Sequence, residues 1–180
     1  NNIDSVVDKA TDWGFPIVVK ARTGTSSHDV FIINNTDNLV KKWVDISSPM
    51  LQRAIDIPSS ELNNEYTCSL FKTSKEKILG PFIARRTLRG GTSWLIEAGK
   101  FSGIEPILLR IGSMLDFEGS LNIQLMVGTE GPVPFEINAR FSGTTAVRAH
   151  FGFNEPELAI QSFFYGEEPI NPLIRSGIAM

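Results

Sequence analysis

The spacing of apolar positions changes period several times along the first third of the chain. Ile3, Val6, Val7 and Ala10 fall at helical spacing, and Gly14 stands where such a helix would stop. Residues 15–20 then read as a strand, with Ile17, Val18 and Val19 as its β-branched centre. A loop of small polar residues, 21–28, leads to a second strand over 29–33, so the two make a hairpin-like unit. Helical spacing returns over 36–45 and places Leu39, Val40, Trp43 and Val44 on the buried side. Residues 50–55 form another strand. Proline, two serines and two asparagines within 57–64 mark a loop and a lobe boundary.

Beyond that boundary the pattern predicts strands over 65–73, 77–87 and 92–98, with a turn at 89–91. A helix over 102–116 carries Pro106 in its first turns, where proline is tolerated. Strands follow at 121–127 and 133–139, then helices at 144–151 and 156–165. Antiparallel runs of strands with helices between them predict an α+β fold, not a doubly wound parallel sheet. Two lobes are expected, residues 1–56 and residues 57–180. No repeat or low-complexity tract interrupts them.

Composition narrows the function classes. The 180 residues are 42% hydrophobic and 21% charged, ordinary for a globular protein with a substantial core. A net charge of −3 exerts no general pull toward nucleic acid or membrane, so any anion site must be local. The single cysteine, Cys68, rules out an intrachain disulfide and lies in a strand pattern that suits a buried thiol. No apolar run approaches membrane-spanning length. The expectation is a cytoplasmic protein. The chain begins without methionine and inside a helical pattern, as expected of a fragment of a longer protein.

The strongest chemical signal is near residue 140. Glu136, Asn138 and Arg140 stand two apart in an otherwise apolar run, so a strand would put them on one face, with Phe135 and Ile137 turned to a core. The preceding strand alternates too, placing Asn122, Gln124 and Met126 together. A three-residue turn of Thr129, Glu130 and Gly131 would pair Gly128 with Pro132, Gln124 with Glu136 and Asn122 with Asn138. A two- or four-residue loop would set Gln124 against Phe135 and mix the faces. Cross-strand neighbours lie about 5 Å apart at Cβ, close enough to share one Mg²⁺. The residues alone fit this site or a solvated strand face equally well. The turn that follows, 140–145, is rich in hydroxyls and backbone amides that could cap a helix or receive an anion, and it favours the site.

The block from Glu136 to Gly143, preceded by Asn122-Ile123-Gln124, resembles the ATP-grasp superfamily, and within it the carbamoyl phosphate synthetase large-subunit-like members. Gly14-Phe15-Pro16-Ile17-Val18-Val19-Lys20, Met50-Leu51-Gln52-Arg53-Ala54-Ile55 and Glu65-Tyr66-Thr67 resemble further segments of the family, in the same order. The resemblance implies an ATP-grasp fold of two lobes with Mg-ATP in a cleft between them. It implies that Gln124, Glu136 and Asn138 hold Mg²⁺, for which Mn²⁺ could substitute. Arg140 would contact the γ-phosphate or an acyl phosphate, Lys20 the α- and β-phosphates, and Glu65 the ribose. The backbone of Arg53 and Ile55 would pair with adenine. The implied activity is an ATP-dependent ligase that joins a small carboxylate to an amine through an acyl phosphate. The alternatives are a catalytically silent ATP-binding module and an interaction domain that takes no nucleotide. The resemblance also implies an N-terminal domain of the same protein that this chain lacks, and it leaves room for a homo-oligomer. In the loop over the phosphates, where the family is rich in glycine, this chain keeps only Gly24.

Three arginines, Arg85, Arg86 and Arg89, stand beside Gly90-Gly91. Arg85 and Arg86 point to opposite faces of a strand, and one of them is a candidate ligand for a substrate carboxylate or phosphate. Because Arg86 shares its face with Ala84 and Leu88, Arg85 is the expected polar-facing one. His28 and His150 lack the spacing and the cysteine partners of a zinc site.

Overall fold

Asn2 opens the first helix: its side chain accepts from the Asp4 amide at 3.2 Å and satisfies a donor the helix cannot use. The helix α1 (Ile3–Trp13) ends at Gly14, whose φ of 78° suits glycine and whose N–H turns back to the Ala10 carbonyl at 3.0 Å. These details come from a computed structural model that describes residues 2–23, 29–57, 64–89 and 92–180. The expected phosphate loop, with Gly24 and His28, lies outside the described residues. The chain divides into two compact units, one ending at Asp56 and the other beginning at Ile57, with Thr92 grouped with the first.

In the first unit, β1 (Ile17–Ala21) is central, with β2 (Val30–Ile33) and β3 (Pro49–Arg53) antiparallel on either side. The helix α2 (Thr36–Asp45) starts at Asn35, whose side chain accepts from Asn38 N at 3.0 Å. Val6, Ala10, Ile17, Val19, Ile33, Leu39 and Ile46 make the core. Only part of the predicted α2 stripe joins it. Leu39 is fully buried and Trp43 packs against the core, but Val40 and Val44 are exposed, Val44 at 74%. One sheet face and one neighbouring helix cover a narrow stripe of α2, and Val40 and Val44 fall on the next stripe round.

The second unit is built on a six-stranded sheet in the order β8-β7-β4-β5-β6-β9. These are β4 (Glu65–Lys72), β5 (Ile78–Arg89), β6 (Thr92–Ala98), β7 (Gly119–Gly128), β8 (Gly131–Asn138) and β9 (Gly177–Ala179). The pairs β4–β5, β4–β7, β7–β8 and β6–β9 are antiparallel. The α+β prediction holds. One sheet face packs Tyr66, Cys68, Leu70, Ile83, Ile123 and Leu125 against Ile104 and Leu108 of α3 (Ile104–Met114). Helix and sheet meet closely at Gly112, where a Cβ would fall 2.8 Å from Leu70 Cδ1. The opposite face packs Phe82, Ala84, Ile96 and Ala98 against Phe151, Phe153 and Leu158. These last three belong to the segment of α4 (Thr145–His150) and α5 (Glu155–Ala159). A register shift between Ser69 and Phe71 adds a residue on β5, so that Leu79 shares a face with Phe82 and Ala84.

Two expectations need adjustment. The predicted helix over 156–165 is α5 followed by a π-helical turn, Ile160–Phe164. The strand β9 gave no sequence signal, because three residues are too few to show a period. No described helix is long and apolar enough to cross a membrane.

Candidate functional site

The second face of the large sheet is apolar at one end and polar at the other, and register explains why. On β4 the sequence alternates Glu65, Thr67, Ser69 with Tyr66, Cys68, Leu70. Across β4 and β7, Thr67 faces Gln124 and Ser69 faces Asn122. Across β7 and β8, Gln124 faces Glu136 and Asn122 faces Asn138. Glu65 in turn faces Arg86 on β5. Four strands thus bring their polar residues to one array.

The pairing of Gln124 with Glu136 arises differently from the hairpin predicted. Gly128 pairs with Gly131, so the turn is the two residues Thr129 and Glu130, and Leu125 faces Pro134. Phe135 is then the extra residue of a bulge, which moves the register by one and sets Glu136 opposite Gln124. Gly131 does adopt a φ of 111°, in the region glycine favours. Ile137 was expected in a core, yet it is 43% exposed. It lies on the outermost strand of the sheet, where only one neighbouring strand can cover it.

Glu136 is exposed, while Gln124 and Asn138 are half-buried. The Asn138 amide nitrogen donates to Glu136 Oε1 at 2.7 Å, so the amide oxygen, the atom a metal would take, is not used in that bond. One carboxylate and two amide oxygens are hard donors suited to Mg²⁺. No cluster of three His, Cys, Asp or Glu side chains that could hold a metal occurs among the described residues.

Arg140 follows β8 and is exposed, its Nη1 donating to the Phe141 carbonyl at 3.0 Å. The hydroxyls of the next turn serve the turn itself. Thr144 N donates to Ser142 Oγ at 3.0 Å, and Ser142 N to Thr145 Oγ1 at 3.1 Å. In the first unit, Lys20 pairs with Met50 and Arg53 with Ile17 on the β1–β3 ladder. These positions are three pairs, about 10 Å, apart along the strands. The Arg53 guanidinium lies 5.4 Å from the Trp13 ring centroid, and Ile55 follows β3 half-buried.

The arginine expected on the polar face is the wrong one of the pair. Arg86 occupies it, donating Nε to Glu65 Oε1 at 2.9 Å and Nη2 to Gln124 Oε1 at 2.9 Å, with a second contact from Nη2 to Glu65. Arg85 lies on the other face with Tyr66 as its strand partner, and its Nη2 meets Glu97 Oε2 at 2.5 Å. Apolar neighbours along β5 misled the choice, because the face of Ala84 is apolar only toward Phe82 and turns polar at Glu65.

Sequence reading also missed a buried network that borders the array. Arg148 and Glu155 have fully buried side chains and pair at 3.2 Å. Arg148 Nη2 donates to Asn122 Oδ1 at 2.5 Å and to Thr67 Oγ1 at 2.9 Å. Glu155 Oε1 accepts from Ser69 Oγ at 2.5 Å and from Ser120 Oγ. Among the buried side-chain nitrogens and oxygens of the described residues, Arg148 Nε is the one without a partner. Burial draws the Arg148 guanidinium below its ordinary pKa, and the Glu155 carboxylate opposes that shift. The alternation of Glu65, Thr67 and Ser69 against apolar neighbours was the available signal that β4 has a polar face. A surface concavity of about 510 Å³ lined by Asn154, Pro156, Ile160 and Tyr165 contains none of the candidate residues.

No protein-family model matches the sequence, and no curated protein matches it in sequence. Solved structures do match in shape. N5-carboxyaminoimidazole synthetase from Staphylococcus aureus, complexed with ADP, superposes with a TM-score of 0.76 at 15% identity, over 98% of this chain and 48% of that one. Carboxyaminoimidazole ribonucleotide synthase from Aspergillus clavatus, complexed with ATP, gives 0.76 at 14% identity, over 98% and 48%. The biotin carboxylase domain dimer of Hydrogenobacter thermophilus 2-oxoglutarate carboxylase, in complex with MgADP, ADP and bicarbonate, gives 0.80 at 12% identity, over 99% and 43%. The chain therefore spans less than half the length of these proteins. The likeness establishes the fold, which is ATP-grasp.

Proposed function

We propose that this chain, with its ATP-grasp fold, is the ATP-binding part of an ATP- and Mg²⁺-dependent ligase that joins a small carboxylate to an amine. The observation that carries this reading is the cross-strand set of Gln124, Glu136 and Asn138 on one sheet face. The structural likeness to synthetases and a carboxylase solved with ADP, ATP or MgADP supports it. The order of Asn122-Ile123-Gln124 and the Glu136–Gly143 block supports a place near the carbamoyl phosphate synthetase large-subunit-like members.

In this reading Gln124, Glu136 and Asn138 hold Mg²⁺, or Mn²⁺ in its place, through oxygen atoms. Bound there, the ion would neutralise charge on the β- and γ-phosphates. Arg140 holds the γ-phosphate and then the acyl phosphate, and Lys20 holds the α- and β-phosphates. Glu65 receives the ribose hydroxyls, and the backbone of Arg53 and Ile55 pairs with adenine. Residues 1–56 act as the small lobe and residues 57–180 as the large one. A carboxylate oxygen attacks the γ-phosphorus and ADP leaves. The amine then attacks the acyl carbon, and inorganic phosphate leaves with the bonding pair. The protein contributes position and charge, because phosphoryl transfer needs little else from it.

A complete enzyme of this kind takes its carboxylate and amine with help from an N-terminal domain of the same protein, and a cytoplasmic setting suits its lone reduced cysteine. Titration of ATP into the protein with and without Mg²⁺ tests the reading. Magnesium-dependent binding that disappears in Glu136→Ala is the expected result, and binding indifferent to both would overturn it. Release of ADP only when a carboxylate and an amine are supplied to the full-length protein separates a ligase from a silent binding module.

A further inference from the structure

The guanidinium of Arg86 sits on the oxygen that the proposed metal would take. Arginine carries only donors, so its contact identifies the Gln124 atom at 2.9 Å as the carbonyl oxygen. The guanidinium is held in place from two other directions. Its Nε and Nη2 both donate to Glu65 Oε1, and Nη1 reaches Ser93 Oγ at 3.4 Å. The Arg86 side chain is 12% exposed and that of Glu65 19%, so water screens the pair only in part.

We propose that Arg86 is a specificity-determining residue of this site, admitting a divalent cation together with its polyphosphate and disfavouring the free ion. The proposal rests on the Mg-nucleotide reading given above. The charge balance argues for it. Arg86 cancels Glu65, which leaves Glu136 as the one uncancelled carboxylate among Glu65, Gln124, Glu136 and Asn138. A free divalent ion would meet a single negative charge and two amides, beside a fixed cation that already uses one of the amide oxygens. Both effects oppose its entry. An ion arriving with ATP brings several negative charges of its own, and to these Arg86 is attractive. The same side chain thus weakens one ligand and favours the other.

The test is Mn²⁺ binding followed by electron paramagnetic resonance, with the metal alone and with ATP present. Wild-type protein should bind Mn–ATP far more tightly than free Mn²⁺. In Arg86→Gln the affinity for free Mn²⁺ should rise about tenfold or more, the effect of removing one nearby charge, while Mn–ATP gains little or weakens. Arg86→Lys keeps the charge and should retain the wild-type ratio. Loss of structure would lower both affinities, so a gain for the free ion cannot come from misfolding. If Arg86→Gln does not fold, Glu65→Gln carries the test, because it leaves Arg86 uncancelled and should weaken free Mn²⁺ further. Unchanged free Mn²⁺ affinity in the folded variant, with wild-type Mn–ATP binding still dependent on Glu136, overturns this proposal and leaves the functional reading intact. Failure of the wild-type protein to bind Mn–ATP at all overturns both.

Discussion

Two clusters of polar side chains share one face of the large sheet, and they differ in every physical respect except their location. The Arg148–Glu155 cluster is fully buried, and its carboxylate accepts from Ser69, Ser120 and Arg148. The Gln124–Glu136–Asn138 cluster opens to solvent at Glu136, and within it Asn138 donates to Glu136. A sealed network in which every buried side-chain N or O but Arg148 Nε has a partner is scaffold. It ties α4 and α5 to β4 and β7 through Asn122 and Thr67. In the open set the Asn138 amide oxygen stays outside the internal bond, and the Gln124 oxygen meets Arg86. Polarity on a sheet face is thus common to a sealed network and to an open set of side chains, and exposure is what separates them.

Removing an open ligand should therefore affect binding and spare the fold. Glu136→Ala is expected to weaken Mg-dependent ATP binding about a hundredfold or more by calorimetry. Its unfolding free energy, measured in urea, should change by no more than about 0.5 kcal/mol. A large loss of stability would place Glu136 in the scaffold and dissolve the contrast. The sealed cluster should behave in the opposite way. Arg148→Met leaves Glu155 charged and buried, and should cost about 3–5 kcal/mol of unfolding free energy. Adding Glu155→Leu to it should recover much of that loss, since the pair is then replaced by apolar packing. Simple additivity of the two losses would show that the residues do not act as a unit.

A second ion pair, half-exposed, sharpens the comparison. Arg85 and Glu97 meet at 2.5 Å with both side chains 40% exposed. Arg85→Ala should cost at most about 1 kcal/mol, and salt should reduce even that. At neutral pH the smallest effect concerns Cys68, which is buried on the α3 face of the same sheet. Burial pushes its thiol from 9.0 up to about 12. The unfolded thiol releases its proton above about 9 while the native one keeps it, so stability is full below that pH and falls as pH rises toward 12. Thiol-reactive dye at pH 8 should label the native protein only as fast as it opens. Rapid labelling would show that this face is less well sealed than its packing implies.

The sequence by itself determined what rests on local rules. Helical spacing bounded α2 at Thr36 and Asp45, and glycine ended α1 where only a left-handed residue closes the turn. Period-two alternation put Glu136 and Asn138 on one face, and the demand that faces not mix set Gln124 against Glu136. The tertiary structure decided what depends on neighbours distant along the chain. The bulge at Phe135 corrects the register that the two-residue turn imposes, and such a correction is visible only once both strands are laid side by side. Arg86, not Arg85, faces the polar array, with Glu65 across from it on β4. Arg148, in a predicted helix, and Glu155, just before the next, show no sign of burial in the sequence; hydroxyl, amide and apolar groups of β4, β5 and β7 surround them. Local periodicity assigns a side chain to a face, but burial is a property of what covers that face, and the covering residues lie as many as 86 positions away.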